Sequence, residues 1–247
     1  MGLSWVQVKK RGGMNSDLVS FFELIVILTL VGAQVFDVYA VMVRAKVNVD
    51  GTTQVLAVAN WIQYLARIMN MVSVFSISLL LESKISTIGV PAMFGYSMCL
   101  GLVMILLVCK FSFTSPILRV LQCLGFTQVF GEPGKKPYWW RVELDFFSRL
   151  TWFSVLVSLF INLAIIMPFM LSVRYPEVRM TLAYTGQLMN FCASIIMFTY
   201  VDRVFFKALD SGNEFLCASK IIAGKVVAQI LLVVGVLLFY FIMGSSQ

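Results

Sequence analysis

Six apolar runs, each longer than the roughly 18 residues that separate a membrane span from a buried core helix, divide this 247-residue chain. In hydrocarbon every backbone N–H and C=O must find its partner inside the protein, so runs of this length can only be helices. A transmembrane β-barrel would be written instead as short segments of alternating polarity. The chain is therefore expected to be an all-α, polytopic integral membrane protein, with residues 1–247 forming a single transmembrane domain.

The spans are expected at about Asp17 to Val43, Gln54 to Leu81, Pro91 to Cys109, Phe146 to Val173, Thr181 to Val201 and Ile221 to Met243. The basic amino-terminal segment followed by an apolar run has the outline of a signal peptide. The helical pattern continues past Asp37 to Arg44, however, so the run reads as the first membrane helix. Between the third and fourth spans, Phe113 to Phe130 mixes apolar residues with Arg119 and Gln122. It is too polar to cross and is expected to lie along the surface as an amphipathic helix. A turn-rich loop from Gly131 to Pro137 follows, then Tyr138-Trp139-Trp140-Arg141, an aromatic and basic interfacial anchor.

Polar residues inside the spans fall into stripes. At about 100° per residue, Asn60, Gln63, Arg67 and Asn70 share one narrow face of the second helix. Glu23, Gln34, Asp37 and Arg44 do the same on the first, and Lys225 and Gln229 stand one turn apart on the sixth, beside the small residues Gly224 and Ala228. On the fifth, Gly186 and Asn190 share a face with Arg179, and the helix is expected to end at Asp202. The fourth has Arg149 near its start and Asn162 within, and Pro168 is expected to kink it; the third is uncharged and reads as a packing helix.

An arginine at the centre of a spanning helix costs about 2.5–3.5 kcal/mol on insertion scales, so it persists where it faces a bundle interior, a wet cavity or an anion. Arg67 is therefore expected to be buried, either in a structural ion pair or at a site for an anionic substrate. Helices with such stripes turn them inward, which predicts a net basic cavity with apolar walls. Guanidinium groups match phosphate oxygens two at a time, so the natural ligand is an amphiphile with a phosphate or diphosphate head. Asp37 is expected to pair with Arg67 or Arg44, because an unpaired charge at depth is costly. Glu23, Asp37, Asp202 and Lys225 together are candidates for ion pairs or for coupling to protons or cations.

Composition narrows the chemistry. The net charge of +7 suits contact with anionic membrane lipids rather than nucleic acid, for which no aromatic and basic module is present. Histidine is absent, which removes the commonest general base and metal ligand. The five cysteines, Cys99, Cys109, Cys123, Cys192 and Cys217, lack metal-ligand spacing, and no cofactor is called for. The connections after the first, third and fifth spans carry more Lys and Arg than the opposite side, which favours a cytoplasmic location for them and both termini outside.

The chain resembles the Amj family, the "alternate to MurJ" lipid II flippases of bacterial cytoplasmic (inner) membranes. The resemblance is carried by Phe36-Asp37 through Tyr39 to Arg44, by Asn60 through Ala66-Arg67 to Asn70-Met71, and by Pro176 through Arg179-Met180-Thr181, Gly186 and Asn190 to Val201-Asp202. A looser block joins Ala223-Gly224 to Ala228-Gln229. A Glu is usual in the family where Asp37 stands, a Pro often follows the acid at Asp202 where this chain has Arg203, and the basic amino-terminal extension is not general. The resemblance implies transfer of undecaprenyl-diphosphate-linked disaccharide pentapeptide between leaflets. Arg67, Arg44 and Arg179 would then take the diphosphate, and Asn60, Asn70 and Asn190 the sugar or peptide.

Two other classes remain open on the residues. An assembly subunit of a membrane complex would pair its buried charges with partners. A membrane enzyme acting on a lipid phosphate would need clustered carboxylates or a His nucleophile, and here the acids are spread over separate spans. The small-residue faces of the third and sixth spans could serve a homodimer contact or internal packing equally well.

Overall fold

The computed structural model describes residues 16–45, 52–82, 89–111 and 147–244. Among these residues there is no strand, and six helical stretches are long and apolar enough to cross a membrane. The chain is an all-α, multi-pass membrane protein. The expected amphipathic helix, the loop after it and the aromatic anchor lie outside the described residues.

Helices α1 (Ser16–Arg44), α2 (Thr52–Glu82), α3 (Gly89–Phe111) and α4 (Arg149–Arg174) form the first four spans. The fifth departs from expectation. It begins with a 3-10 turn (Pro176–Val178), continues as α5 (Arg179–Ile196), passes through a π-helical segment (Met197–Val201), and runs on as α6 (Asp202–Asp210). Asp202 thus lies within a continuous helical span rather than at its end. The sixth span is α7 (Glu214–Gly244).

Local chemistry explains the joints. Ser148 caps α4, its hydroxyl accepting the Thr151 N–H at 3.1 Å and so satisfying one of the donors that a helix start leaves unpaired. Pro168 sits inside α4 without ending it. A proline there deprives the Ala164 carbonyl of its intrahelical N–H. Against that spot α5 places Gly186, where any Cβ would collide with the Ala164 oxygen and the Pro168 ring. After α6, Asn213 N–H reaches the Ala208 carbonyl at 2.9 Å and Gly212 N–H reaches Leu209 at 3.3 Å. Gly212 closes this turn at φ 69°, the left-handed conformation a glycine adopts without penalty.

Helix α1 packs along α2 and α3, and α4 packs along α5 and α7. The contacts of α7 with α3 and α1 join these two groups. Gly224 brings α7 onto α4 so closely that a Cβ would stand 2.5 Å from the Thr151 carbonyl oxygen. That part of the small-residue face of α7 is therefore taken up within the chain. Two apolar clusters form the core. One is built around Tyr39, Ile62 and Ile222, and the other around Val26, Ile77, Phe94 and Ile166.

Candidate functional site

The polar stripe of α1 meets its partners at three levels. At the first, Gln34 and Gln229 lie where the two apolar clusters adjoin. Gln229 Nε2 donates to Gln34 Oε1 at 3.0 Å and to the Met98 carbonyl at 2.9 Å. Gln34 Nε2 in turn donates to Met98 Sδ at 3.3 Å. Gly101 leaves room for this, since the Gln34 amide fills the space its Cβ would take. α3, expected to be a plain packing helix, contributes an acceptor to the layer.

At the second level Asp37 pairs with Lys225 of α7, whose side chain is buried. The expected arginine partner is not the one it has. Arg67 is exposed on the α2 stripe it shares with Asn60 and Gln63, and Arg44 is engaged elsewhere.

At the third level Arg44 is held by three groups. Its Nη2 donates to Gln63 Oε1 at 2.8 Å and to Asn60 Oδ1 at 3.0 Å, while Nη1 stands 3.6 Å from Asp202 Oδ1. The amides of α2 therefore fix the guanidinium, and the carboxylate compensates its charge from beyond hydrogen-bonding distance. Arg44 Nε is buried and has no acceptor among the described residues.

Arg44 forms part of the wall of a cavity of about 970 Å³, large enough for a sizeable polar head group. α2 supplies Asn60, Gln63, Tyr64 and Arg67 to one wall; the π-helical segment and α6 supply Met197, Phe198, Thr199, Asp202, Arg203, Phe206, Lys207 and Asp210 to the other. α2 makes no extended contact with the π-helical segment or with α6 among the described residues, so the cavity opens between them, with Arg44 reaching both.

The π-helical segment is what aims Asp202. Its N–H bonds to the Met197 carbonyl five residues back, and the Thr199 hydroxyl donates to the Ile195 carbonyl at 2.6 Å. The extra residue shifts the phase of everything beyond it and turns the Asp202 carboxylate toward α1.

The candidate residues are only partly brought together. Arg44, Arg67, Asn60 and Asp202 meet at the cavity. Arg67 is exposed there rather than buried, and its guanidinium lies over the Tyr64 ring of its own helix at 5.8 Å. A long side chain on a cavity wall keeps its charge in the wet space while its stem lies along the helix, which makes burial unnecessary. Asn70 stands one turn beyond Arg67 and does not line the cavity. Arg179 and Asn190 do not line it either; both are exposed, and of their stripe Gly186 is the residue that packs on α4. Arg179 is about 35 Å of helix away from Asp202. Glu23 belongs to the other end of α1, its carboxylate against Gly89 at the start of α3.

Three charged residues of the cavity, Arg203, Lys207 and Asp210, escape the sequence reading because it ends the fifth span at Asp202. The signal was present. Arg203, Lys207 and Asp210 recur at helical spacing, opposite Val204, Phe205 and Ala208.

Among the described residues no three acidic, cysteine or histidine side chains lie together as metal ligands would. Comparison with protein-family models, with curated proteins and with solved structures finds no match.

Proposed function

We propose that the chain is a lipid flippase of the bacterial cytoplasmic membrane that moves lipid II, the undecaprenyl-diphosphate-linked peptidoglycan precursor, from the inner to the outer leaflet. The observation that carries this reading is the cavity itself. Four cations (Arg44, Arg67, Arg203 and Lys207) and two amides (Asn60 and Gln63) surround one cavity, against two acids, Asp202 and Asp210. A diphosphate offers several acceptor oxygens to guanidinium forks, and amides suit sugar hydroxyls or peptide carbonyls. The walls α2 and α5–α6 belong to different helix groups, so a polyprenyl tail can remain in the bilayer while the head passes between them. The resemblance to the Amj flippases points the same way. By the distribution of Lys and Arg, the cavity lies toward the cytoplasmic leaflet, where such a precursor is loaded. No covalent bond changes, so the protein is no enzyme.

The test is rescue of cells depleted of their usual lipid II flippase. Wild-type chain should restore growth. Arg67→Ala should abolish rescue and Arg67→Lys should impair it severely, both at wild-type abundance in the membrane. Full rescue by Arg67→Ala at equal abundance would overturn the reading, since Arg67 has no carboxylate partner among the described residues and its loss should not unfold the chain.

A further inference from the structure

Arg44 is an unusual cation for a cavity wall, because it is already occupied by groups of two kinds. The neutral amides of Asn60 and Gln63 take its Nη2 hydrogens at hydrogen-bonding distance, while the charged group, Asp202, stays at 3.6 Å. A carboxylate that served only to anchor the arginine would be expected at about 2.7–2.9 Å, with its oxygens on the guanidinium hydrogens. Here Nε keeps a buried hydrogen with no acceptor, and Nη1 has no hydrogen bond among the described residues. Such unmade bonds are costly, and an anion that reached them would recover that cost. The amides hold the guanidinium in place whether or not Asp202 stays.

Asp202 also has somewhere to go. Its position at the end of the π-helical segment gives it a backbone that can change phase by local rearrangement, a property that often places such segments at functional sites.

We infer that Asp202 is an internal occupant of the anion site on Arg44 and sets its selectivity, admitting lipid heads that bring two or more negative charges and holding off singly charged phosphodiester lipids. This rests on the proposed function and names the ligand class of its site. The charge balance gives the reason. A monoanion displacing Asp202 exchanges one charge for one at Arg44 and leaves a carboxylate of like sign nearby. A diphosphate neutralises Arg44 and has charge left for Arg67 on one wall and Arg203 and Lys207 on the other, against Asp202 and Asp210. Like charges brought together suppress wrong partners more than they weaken right ones. A flippase in a membrane full of singly charged phospholipids needs this distinction.

The test is equilibrium binding to the purified full-length chain in neutral detergent, with farnesyl diphosphate and dioleoylphosphatidylglycerol as probes. The wild-type chain should bind the diphosphate at least about tenfold more tightly than the phosphatidylglycerol. Asp202→Asn should tighten phosphatidylglycerol binding about tenfold and bring the two probes to within about threefold of each other, whereas Asp202→Glu should keep the wild-type preference. An unchanged ratio in Asp202→Asn would overturn the inference. Equal binding of both probes by the wild-type chain would do so even if no variant accumulates. Binding and transport fail separately. Loss of rescue by Arg67→Ala with an unchanged ratio in Asp202→Asn removes the role of Asp202 and leaves the flippase reading. The predicted change in ratio, in a chain that cannot rescue, leaves the selective site and removes the transport.

Discussion

Asp37 on α1 and Lys225 on α7 form an ion pair that ties the first span to the last, one turn from the amide pair Gln34–Gln229. The two interactions lie on the same edges of both helices, so a charge pair and an amide pair fix the register of α1 against α7. Apolar packing alone specifies register weakly in a membrane, where lipid tails are as apolar as leucine.

This pair should behave as a unit. Lys225→Met leaves the Asp37 carboxylate without its partner and is expected to cost about 3 kcal/mol. The double variant Asp37→Asn/Lys225→Gln removes both charges and should recover most of that loss. Thermal unfolding of the purified chain in detergent measures it, and additive losses in the double variant would mean that the two residues act independently.

Gly224 and Gly235 of α7 should respond in opposite ways. Gly224→Ala drives a methyl against the Thr151 carbonyl and the Val155 N–H, atoms of backbone that cannot rotate aside, and should cost about 1–3 kcal/mol by forcing α4 and α7 apart. A Cβ at Gly235 meets nothing within 4 Å. Gly235→Ala should be neutral or stabilise by up to about 1 kcal/mol through helix propensity. Melting temperatures of the two single variants decide the matter.

The π-helical segment makes a prediction about phase. Deleting Phe198 removes the extra residue, lets the span run as regular α-helix and keeps α6 facing α1. Inserting an alanine after Phe198 instead turns Asp202 and Lys207 by about 100° away from the cavity. The deletion should retain membrane abundance and the stability of the purified chain, and the insertion should lose both rescue and stability. Equal effects of the two changes would show that the phase of α6 does not matter.

Sidedness can be read at the α6–α7 turn, where Ser211 is exposed. In a background with the native cysteines replaced, Ser211→Cys should resist a membrane-impermeant thiol reagent in intact cells and react after lysis. Labelling in intact cells would put the cavity at the outer face and reverse the direction of loading.

Much of this protein was legible as a string of residues, because the relevant physics is local. Hydrocarbon demands long apolar helices, so the six spans and the all-α class follow from run lengths. Helical periodicity puts Gln34, Asp37 and Arg44 on one stripe, and Asn60, Gln63 and Arg67 on another, whatever lies beside them. What periodicity cannot supply is the neighbour. Asp37 chose Lys225 over an arginine because α7, not the Arg67 face of α2, packs beside it at that depth. Arg179 and Asn190 share a stripe with Gly186, which meets Pro168 of α4, yet both remain exposed away from the cavity. Asp202, Arg203 and Lys207 reached the cavity because one extra residue between Met197 and Val201 rephased the helix beyond it. Depth, rotation and phase arise between helices distant in sequence, and so only the packed bundle decided which polar side chains share a cavity.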